Sequence, residues 1–286
     1  MKDHVKGIID MHIHSAPDIR QRRLDDLELM EAAVEREVRA AVIKSHFVPT
    51  ADRAYLVNQI CRERHPETKF EMFGGIALNE SVGGINPKAV EAALKLGAKV
   101  VWLPTSTAEN HMRKNGKSGG VRVTDGHGNV VPELKDVCRL VRDFNAVLAT
   151  GHIAAGECFP VADAARKEGV EKIVITHPEF HIVGMTMEER EKIVREYDVL
   201  LEMVYAQPMG GGAYKKNLSE NVETMKRIGC EHFVVSTDSG QLQNPPWYES
   251  VEEYMDYLYQ NDFTQGEIDI MTKYNPAWLL GIGKRG

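Results

Sequence analysis

The sequence predicts an α/β fold: a single (β/α)8 barrel of the TIM type, with an insertion after strand 4 and a C-terminal helix. Three observations carry that expectation. Eight short apolar runs recur along the chain, helix-period segments fall between them, and 286 residues is a common size for one α/β barrel domain. The predicted domain therefore spans residues 1–286. An open doubly wound sheet is the competing fold, but no Gly-x-Gly-x-x-Gly follows the first strand to mark a dinucleotide site.

The predicted strands are Gly7–Met11, Ala40–Ile43, Phe70–Ile76, Lys99–Leu103, Val147–Thr150, Lys172–Thr176, Val199–Met203 and Phe233–Ser236. Most are rich in β-branched residues and bounded by turn or charged residues, as parallel strands buried on both faces tend to be. Helical spacing links Leu24, Leu27, Met30 and Val34, then Val57, Ile60 and Cys61, then Val90, Ala93 and Leu94. It returns in Leu134, Val137, Cys138 and Val141, in Ile193, Val194 and Tyr197, and in Leu218, Val222, Met225 and Ile228. Thr186 followed by Glu189 reads as a capping box, and Gly97, Gly169 and Gly229 sit where helices should stop. Ser106–Pro132 breaks the rhythm after strand 4. Turn residues flanked by Val121–Thr124 and Asn129–Val131 predict a small hairpin there, and so long an excursion is more often functional than accidental.

Composition narrows the function. A formal charge of −7 argues against a nucleic-acid footprint or an anionic-membrane anchor. Arg20–Arg23 and Lys215-Lys216 read as solvated loops. Cys61, Cys138, Cys158 and Cys230 form no Cys-x-x-Cys pair, which weighs against zinc-finger, thioredoxin-type and disulfide frameworks. No apolar stretch approaches the roughly 20 residues that span a bilayer, and no long apolar leader opens the chain. The expected setting is a reduced cytoplasm, with no membrane or nucleic-acid partner.

The strand ends carry the chemistry, because barrel active sites gather there. Strand 1 runs into Asp10-Met11-His12-Ile13-His14, strand 2 into Lys44-Ser45-His46, and strand 5 into Thr150-Gly151-His152. Strand 6 ends in His177-Pro178-Glu179 and strand 8 in Thr237-Asp238-Ser239. Two histidines two apart on an extended chain leave on one face, so both imidazoles can reach one ion. Imidazole with carboxylate suits zinc, and also iron, nickel or manganese. Any one of these histidines alone reads as a hydrogen-bonded core or surface residue. Four histidines and an aspartate converging on one barrel face are hard to reach by chance.

This set resembles the amidohydrolase superfamily: His12-x-His14 after strand 1, His152 after strand 5, His177 after strand 6 and Asp238 after strand 8. The tail Asn275-Pro276-Ala277-Trp278-Leu279-Leu280-Gly281 is similar to an ending common there, so the resemblance runs from His12 to Gly281. It implies a divalent metal, foremost zinc, held by His12, His14 and Asp238. Asp238 then also takes the proton of the metal-bound water and passes it to the leaving group. His152 is implied as the remaining ligand of a single ion, with His177 polarising the substrate or holding the water. With two ions, His152 and His177 bind the second. Binuclear members usually carry a bridging Glu or carboxylated Lys at the end of strand 4, whereas here that strand ends Val101-Trp102-Leu103-Pro104-Thr105. One ion is therefore the leading count.

Lys44 and His46 are the candidate substrate-binding residues. Lys44 reads as an ammonium facing an anionic substrate group, with a carbamylated bridge as the other role; His46 equally reads as a packing residue. Asp10 either orients an imidazole or holds the turn of strand 1. Glu179, His181 and Gly210–Gly212 are weaker candidates for substrate contact, the glycines reading equally as a lid. Trp247 and Tyr248 are expected to wall the pocket, and Tyr254 and Leu258 to sit in the core.

The leading function is a metal-dependent hydrolase cleaving a C–N or C–O bond (amide, lactone, cyclic imide or amidine) of a small molecule. A decarboxylase of a small carboxylic acid comes second, a phosphoesterase third, and a noncatalytic metabolite-binding barrel last. A homo-oligomer is expected from enzymes of this build.

Overall fold

The computed structural model describes residues 3–286. Eight parallel strands form one sheet in chain order, the inner wall of a (β/α)8 barrel: β1 (Ile9–Ile13), β2 (Ala40–Ile43), β3 (Glu71–Ala77), β4 (Val100–Trp102), β5 (Val147–Ala149), β6 (Ile173–Thr176), β7 (Leu200–Val204) and, after an intervening hairpin of β8 (Ala206–Gly210) and β9 (Ala213–Lys216), β10 (Phe233–Ser236). Neighbours pair in parallel, for example Ile9 with Ala40, Ala41 with Met72, Ile76 with Val101, and Thr176 with Glu202. The strands are buried along nearly their whole length, which accounts for their continuous apolar composition.

The helices are α1 (Asp26–Glu35), α2 (Ala51–Arg64), α3 (Pro87–Lys95), α4 (Glu109–Lys114), α5 (Pro132–Asp143), α6 (Ala155–Lys167), α7 (Met187–Tyr197), α8 (Leu218–Ile228), α9 (Trp247–Gln260), α10 (Gln265–Asp269) and α11 (Asn275–Leu280). Their starts have local causes. Asp25 and Glu28 form a capping box on α1, Thr186 and Glu189 one on α7, and Asn86 accepts two backbone N–H groups ahead of Pro87 on α3. The stripe of α5 is buried as its period demands: Leu134, Val137, Cys138 and Val141 all face inward. Among the described residues no helix is long and apolar enough to cross a membrane.

Chain contacts divide the protein into two compact units. One comprises the chain up to Ser45, Thr50–Gly74 and Met203–Gly286; the other comprises His46–Pro49 and Gly75–Glu202. Strands β3 and β7 each run from one into the other.

Four details depart from the sequence expectations. β1 lies two residues later, so His12 is inside the strand. Leu24 precedes α1, whose buried face is Asp26, Leu29, Met30 and Ala33. Of helix α6 only the stop at Gly169 was read from the sequence: Pro160 and a mixed apolar pattern blur the stripe whose buried residues include Cys158, Val161, Ala162 and Ala165. Gly210–Gly212 form the tip of the β8–β9 hairpin. The hairpin expected within Ser106–Pro132 is present as a tight turn, with Thr124 bridged to Val130 and Asp125 Oδ1 accepting the N–H groups of His127 and Asn129. Burial pushes the Cys138 and Cys158 thiols up to about 12, so both behave as small apolar groups.

Candidate metal centre

The first and last barrel strands meet at a seam, and the seam carries the metal candidates. The His14 N–H donates to Ser239 O at 2.8 Å, and the Asp238 N–H donates to His12 O at 2.9 Å. This ladder places the Asp238 carboxylate between the two imidazoles. Its Oδ1 is 3.1 Å from His12 Nε2 and 3.2 Å from His14 Nε2. Gly240 makes the approach possible: a Cβ there would lie 1.8 Å from the His14 carbonyl oxygen, at a φ of +120° that L side chains rarely adopt. Asp238 itself has a φ of +50°, a left-handed backbone held in place by the seam.

The protonation states follow from the partners. His14 Nδ1 is 2.9 Å from the Lys44 carbonyl oxygen, which can only accept, so Nδ1 carries the proton and Nε2 presents a lone pair. Burial above all, helped by the charges of Arg22 and Lys44, holds the His14 pKa well below the usual imidazole value, against the pull of Asp238. Burial opposes ionisation of Asp238, but the charge and hydrogen bond of His12 foremost outweigh it and hold the carboxyl well below the usual range. A neutral imidazole lone pair and an ionised carboxylate thus face each other at contact distance. A cation resolves that repulsion. The Asp238 oxygen and the two imidazole nitrogens lie 3.1 and 3.2 Å apart, close enough for one ion to be shared between them. His12, His14 and Asp238 offer donor atoms all within 4.8 Å of one another, so the residues present fit a divalent metal. Lys44, at the end of β2 and 1% exposed, puts its Nζ 2.9 Å from His12 Nε2.

Asp10 takes the second of its two expected roles. It does not reach an imidazole nitrogen. Oδ1 accepts the N–H groups of His12 and Thr237, and Oδ2 accepts Thr237 Oγ1–H at 2.7 Å and Trp247 Nε1–H at 2.9 Å. One buried carboxylate therefore ties together the backbones that carry two of the candidate ligands. Burial, against these donors, pushes its pKa up to about 6. Trp247 is correspondingly a core residue and not a pocket wall, and Tyr248 stacks under the Arg36 guanidinium. Tyr254 and Leu258 are in the core, as their spacing predicted.

The Arg20–Arg23 loop is solvated at Arg20, Gln21 and Arg23, as its charges suggested, but not at Arg22. Arg22 places Nε and Nη2 on Asp18 Oδ2 at 2.9 and 2.8 Å, with both side chains almost wholly buried. The loop is docked on the seam by Arg23 N–H to Gly240 O. Charge counting along the sequence could not see that one arginine of the run would place its charge near His14.

The second unit holds its own imidazole group. His152 follows β5 and His177 follows β6; their ring centroids are 4.9 Å apart, and Phe180 packs against both. His177 has a φ of +31°. His46, 5.8 Å from His152 by ring centroids, meets the Thr105 hydroxyl with Nδ1 at 2.8 Å. That hydroxyl accepts from Asn79 Nδ2, so its own proton is available to His46. Asn79, buried and bonded to His46 O and Thr105 N–H, was missed because one Asn after a strand reads as a turn residue. Also missed was His111, whose Nδ1 lies 2.8 Å from His152 Nδ1. Glu179 is buried, whereas His181 is exposed with its ring against Phe180. In the tail, Asn275 Nδ2 donates to Glu231 O and Phe233 O, which makes that motif an anchor for the start of β10.

The fold is shared with solved enzymes of low sequence similarity. An amidohydrolase from Pseudomonas aeruginosa superposes with a TM-score of 0.67 at 12% identity, over 97% of this chain and 96% of the other. The organophosphorus hydrolase from Deinococcus radiodurans gives 0.60 at 14%, over 98% and 94%. A dihydroxybenzoic acid decarboxylase from Polaromonas sp. JS666, with bound manganese and 2-nitroresorcinol, gives 0.58 at 12%, over 97% of each. The likeness to amidohydrolases drawn from the histidine pattern thus extends to the fold. No curated protein matches the sequence. Residues 7–202 match the family of unknown function DUF6282, and the chain belongs to that family.

Proposed function

We propose that this protein is a metal-dependent enzyme that hydrolyses a C–N or C–O bond of a small molecule. The observation that carries the reading is the seam: two imidazoles and an ionised carboxylate within 4.8 Å of one another, with the His14 lone pair fixed by Lys44 O. His12, His14 and Asp238 would hold one divalent ion, foremost zinc, and His152 is assigned as a metal ligand in its own unit. Such an ion, when bound, lowers the pKa of a water and polarises a substrate oxygen.

The chain's own residues do the rest. Asp238 stays ionised at neutral pH, so its carboxylate can accept a proton from water and return it to the leaving group. Asp10 holds the Asp238 strand end against β1, which limits the motion of that base. His177 is assigned to polarise the substrate, and Lys44 and His46 to bind it, Lys44 facing an anionic group.

Decarboxylation is the second reading, supported by the shared fold of the manganese-bearing decarboxylase. Metal analysis tests the first step. The wild type should hold about one equivalent, and replacing both His12 and His14 by Ala should remove most of it, because two of about four direct bonds are lost. Full occupancy in that variant would end the proposal. A screen of amides, lactones and aryl carboxylates, read by acid–base change and by carbon dioxide release, then separates hydrolysis from decarboxylation.

A further inference from the structure

The insertion after β4 delivers two consecutive side chains to one residue. On the short helix α4, Asn110 Nδ2 donates to His152 O at 3.0 Å and to Ile182 O at 2.8 Å. The Asn110 amide is itself held by Arg113, whose Nη2 donates to Asn110 Oδ1 at 2.8 Å. Next to it, His111 Nδ1 stands 2.8 Å from His152 Nδ1. The rings are 4.9 Å apart by centroid and inclined by 27°. That separation exceeds the nitrogen distance by about the two ring radii, so the rings meet edge to edge and nearly coplanar. This is the geometry of an in-plane N–H···N hydrogen bond. On its other side the His152 N–H donates to Pro104 O, and Gly151, at a φ of +64°, has no room for a Cβ against Leu103 O. His152 is thus held at its N–H, at its carbonyl and at its ring.

We infer that His111 is a positioning residue for His152, and that the insertion exists to bring it there. Two neutral imidazoles facing each other through Nδ1 share one proton, which must sit on one ring. The inference rests on the metal reading at one point: a ligand binds through an unprotonated nitrogen, so His152 can offer Nε2 only if its Nδ1 carries the proton. His152 then donates and His111 accepts. Partners of this kind usually fix a ligand's tautomer and rotamer with a carboxylate or a carbonyl, and losing one typically costs about 10–100-fold in metal affinity. Here a helix-borne imidazole takes that place.

Two measurements on the full chain test it, using His111→Leu, which fills similar space without an acceptor, and His111→Asn, whose Oδ1 overlays the imidazole Nδ1. The first is ¹⁵N NMR of the His152 ring in metal-free protein. The wild type and His111→Asn should show the Nδ1–H tautomer, and His111→Leu should lose it. The second is zinc affinity by competition with a chromophoric chelator, expected to fall about 10–100-fold in His111→Leu and to recover most of the loss in His111→Asn. A wild-type His152 protonated on Nε2, or equal zinc affinity in wild type and His111→Leu, would overturn the inference. Full metal occupancy in the His12, His14 double variant would instead remove the metal reading, while the tautomer measurement still decides the role of His111.

Discussion

Replacing Gly240 by Ala should damage the candidate metal centre without removing any of its ligands. The added Cβ would lie 1.8 Å from His14 O, 2.7 Å from its carbonyl carbon and 2.9 Å from its Cβ, where ordinary contact begins at 3.4 Å. About 1.6 Å must be recovered, and none of these atoms is the far end of a flexible side chain. The backbone of β1 or of the segment after β10 has to move, and both carry ligands. The φ of +120° adds strain, about 1–2 kcal/mol for a left-handed L-residue. Overpacking adds about 1–3 kcal/mol or more. The sum, about 2–5 kcal/mol, is a large share of the roughly 5–15 kcal/mol that holds a typical domain together. Gly97→Ala is the control: its φ is +100° and nothing lies within 4 Å of the new Cβ, so it suffers strain alone. Thermal unfolding at matched scan rate and zinc titration compare the two. Gly240→Ala should melt several degrees below Gly97→Ala and bind zinc at least about tenfold more weakly, since coordination tolerates only about ±0.2 Å. Equal melting and equal zinc affinity in the two variants would show that the close approach at His14 O does not set the ligand geometry.

Other outcomes follow from the same site. Asp238→Asn keeps a donor oxygen but no base near pH 7, so it should retain substantial metal and lose about 10²–10⁴-fold in turnover on whatever substrate the screen identifies; near-wild-type turnover at matched metal content would remove Asp238 as the proton acceptor. Asp10 gives a pH signature with a definite sign. Its folded pKa is about 6 against an ordinary 3.8, so between those values the folded state binds more protons than the unfolded one. Stability contributed by Asp10 is therefore complete at low pH and declines as pH rises through about 6, by about 3 kcal/mol in all. Urea melts of wild type and Asp10→Asn across pH 3.5–7 should differ by an amount that shrinks in that direction, and a constant difference would contradict the burial argument.

The sequence showed more of the barrel than of its decorations. β2 and β10 fall on their predicted limits because each is a short β-branched run between charged or turn residues, and burial on both faces leaves no other use for such a run. The stripe of α5 was readable for the same reason in helical period. Helix α6 showed only its stop at Gly169, its stripe being blurred by Pro160, and α4 is too short to show any period. In the site, His12, His14 and Asp238 were legible as residues at strand ends, a position that parallel topology fixes in advance. Arg22, Asn79 and His111 were not, because their roles depend on how loops fold back. An arginine in a charged run, an asparagine after a strand and a histidine in a glycine-rich insertion look the same whether they reach a site or solvent.

The seam has a consequence for assembly. The donor atoms of His12 and Asp238 are brought together only when the chain's first strand meets its last barrel strand, a contact between residues more than two hundred positions apart in sequence. Ion capture and closure of the polypeptide ring are then one event. A partly folded chain with its two ends apart offers a histidine pair at one end and a lone aspartate at the other, neither a strong chelator. On the proposed reading, such a coupling would make metal a fastener of the finished ring and ion uptake during refolding a clock for the step at which the ring shuts.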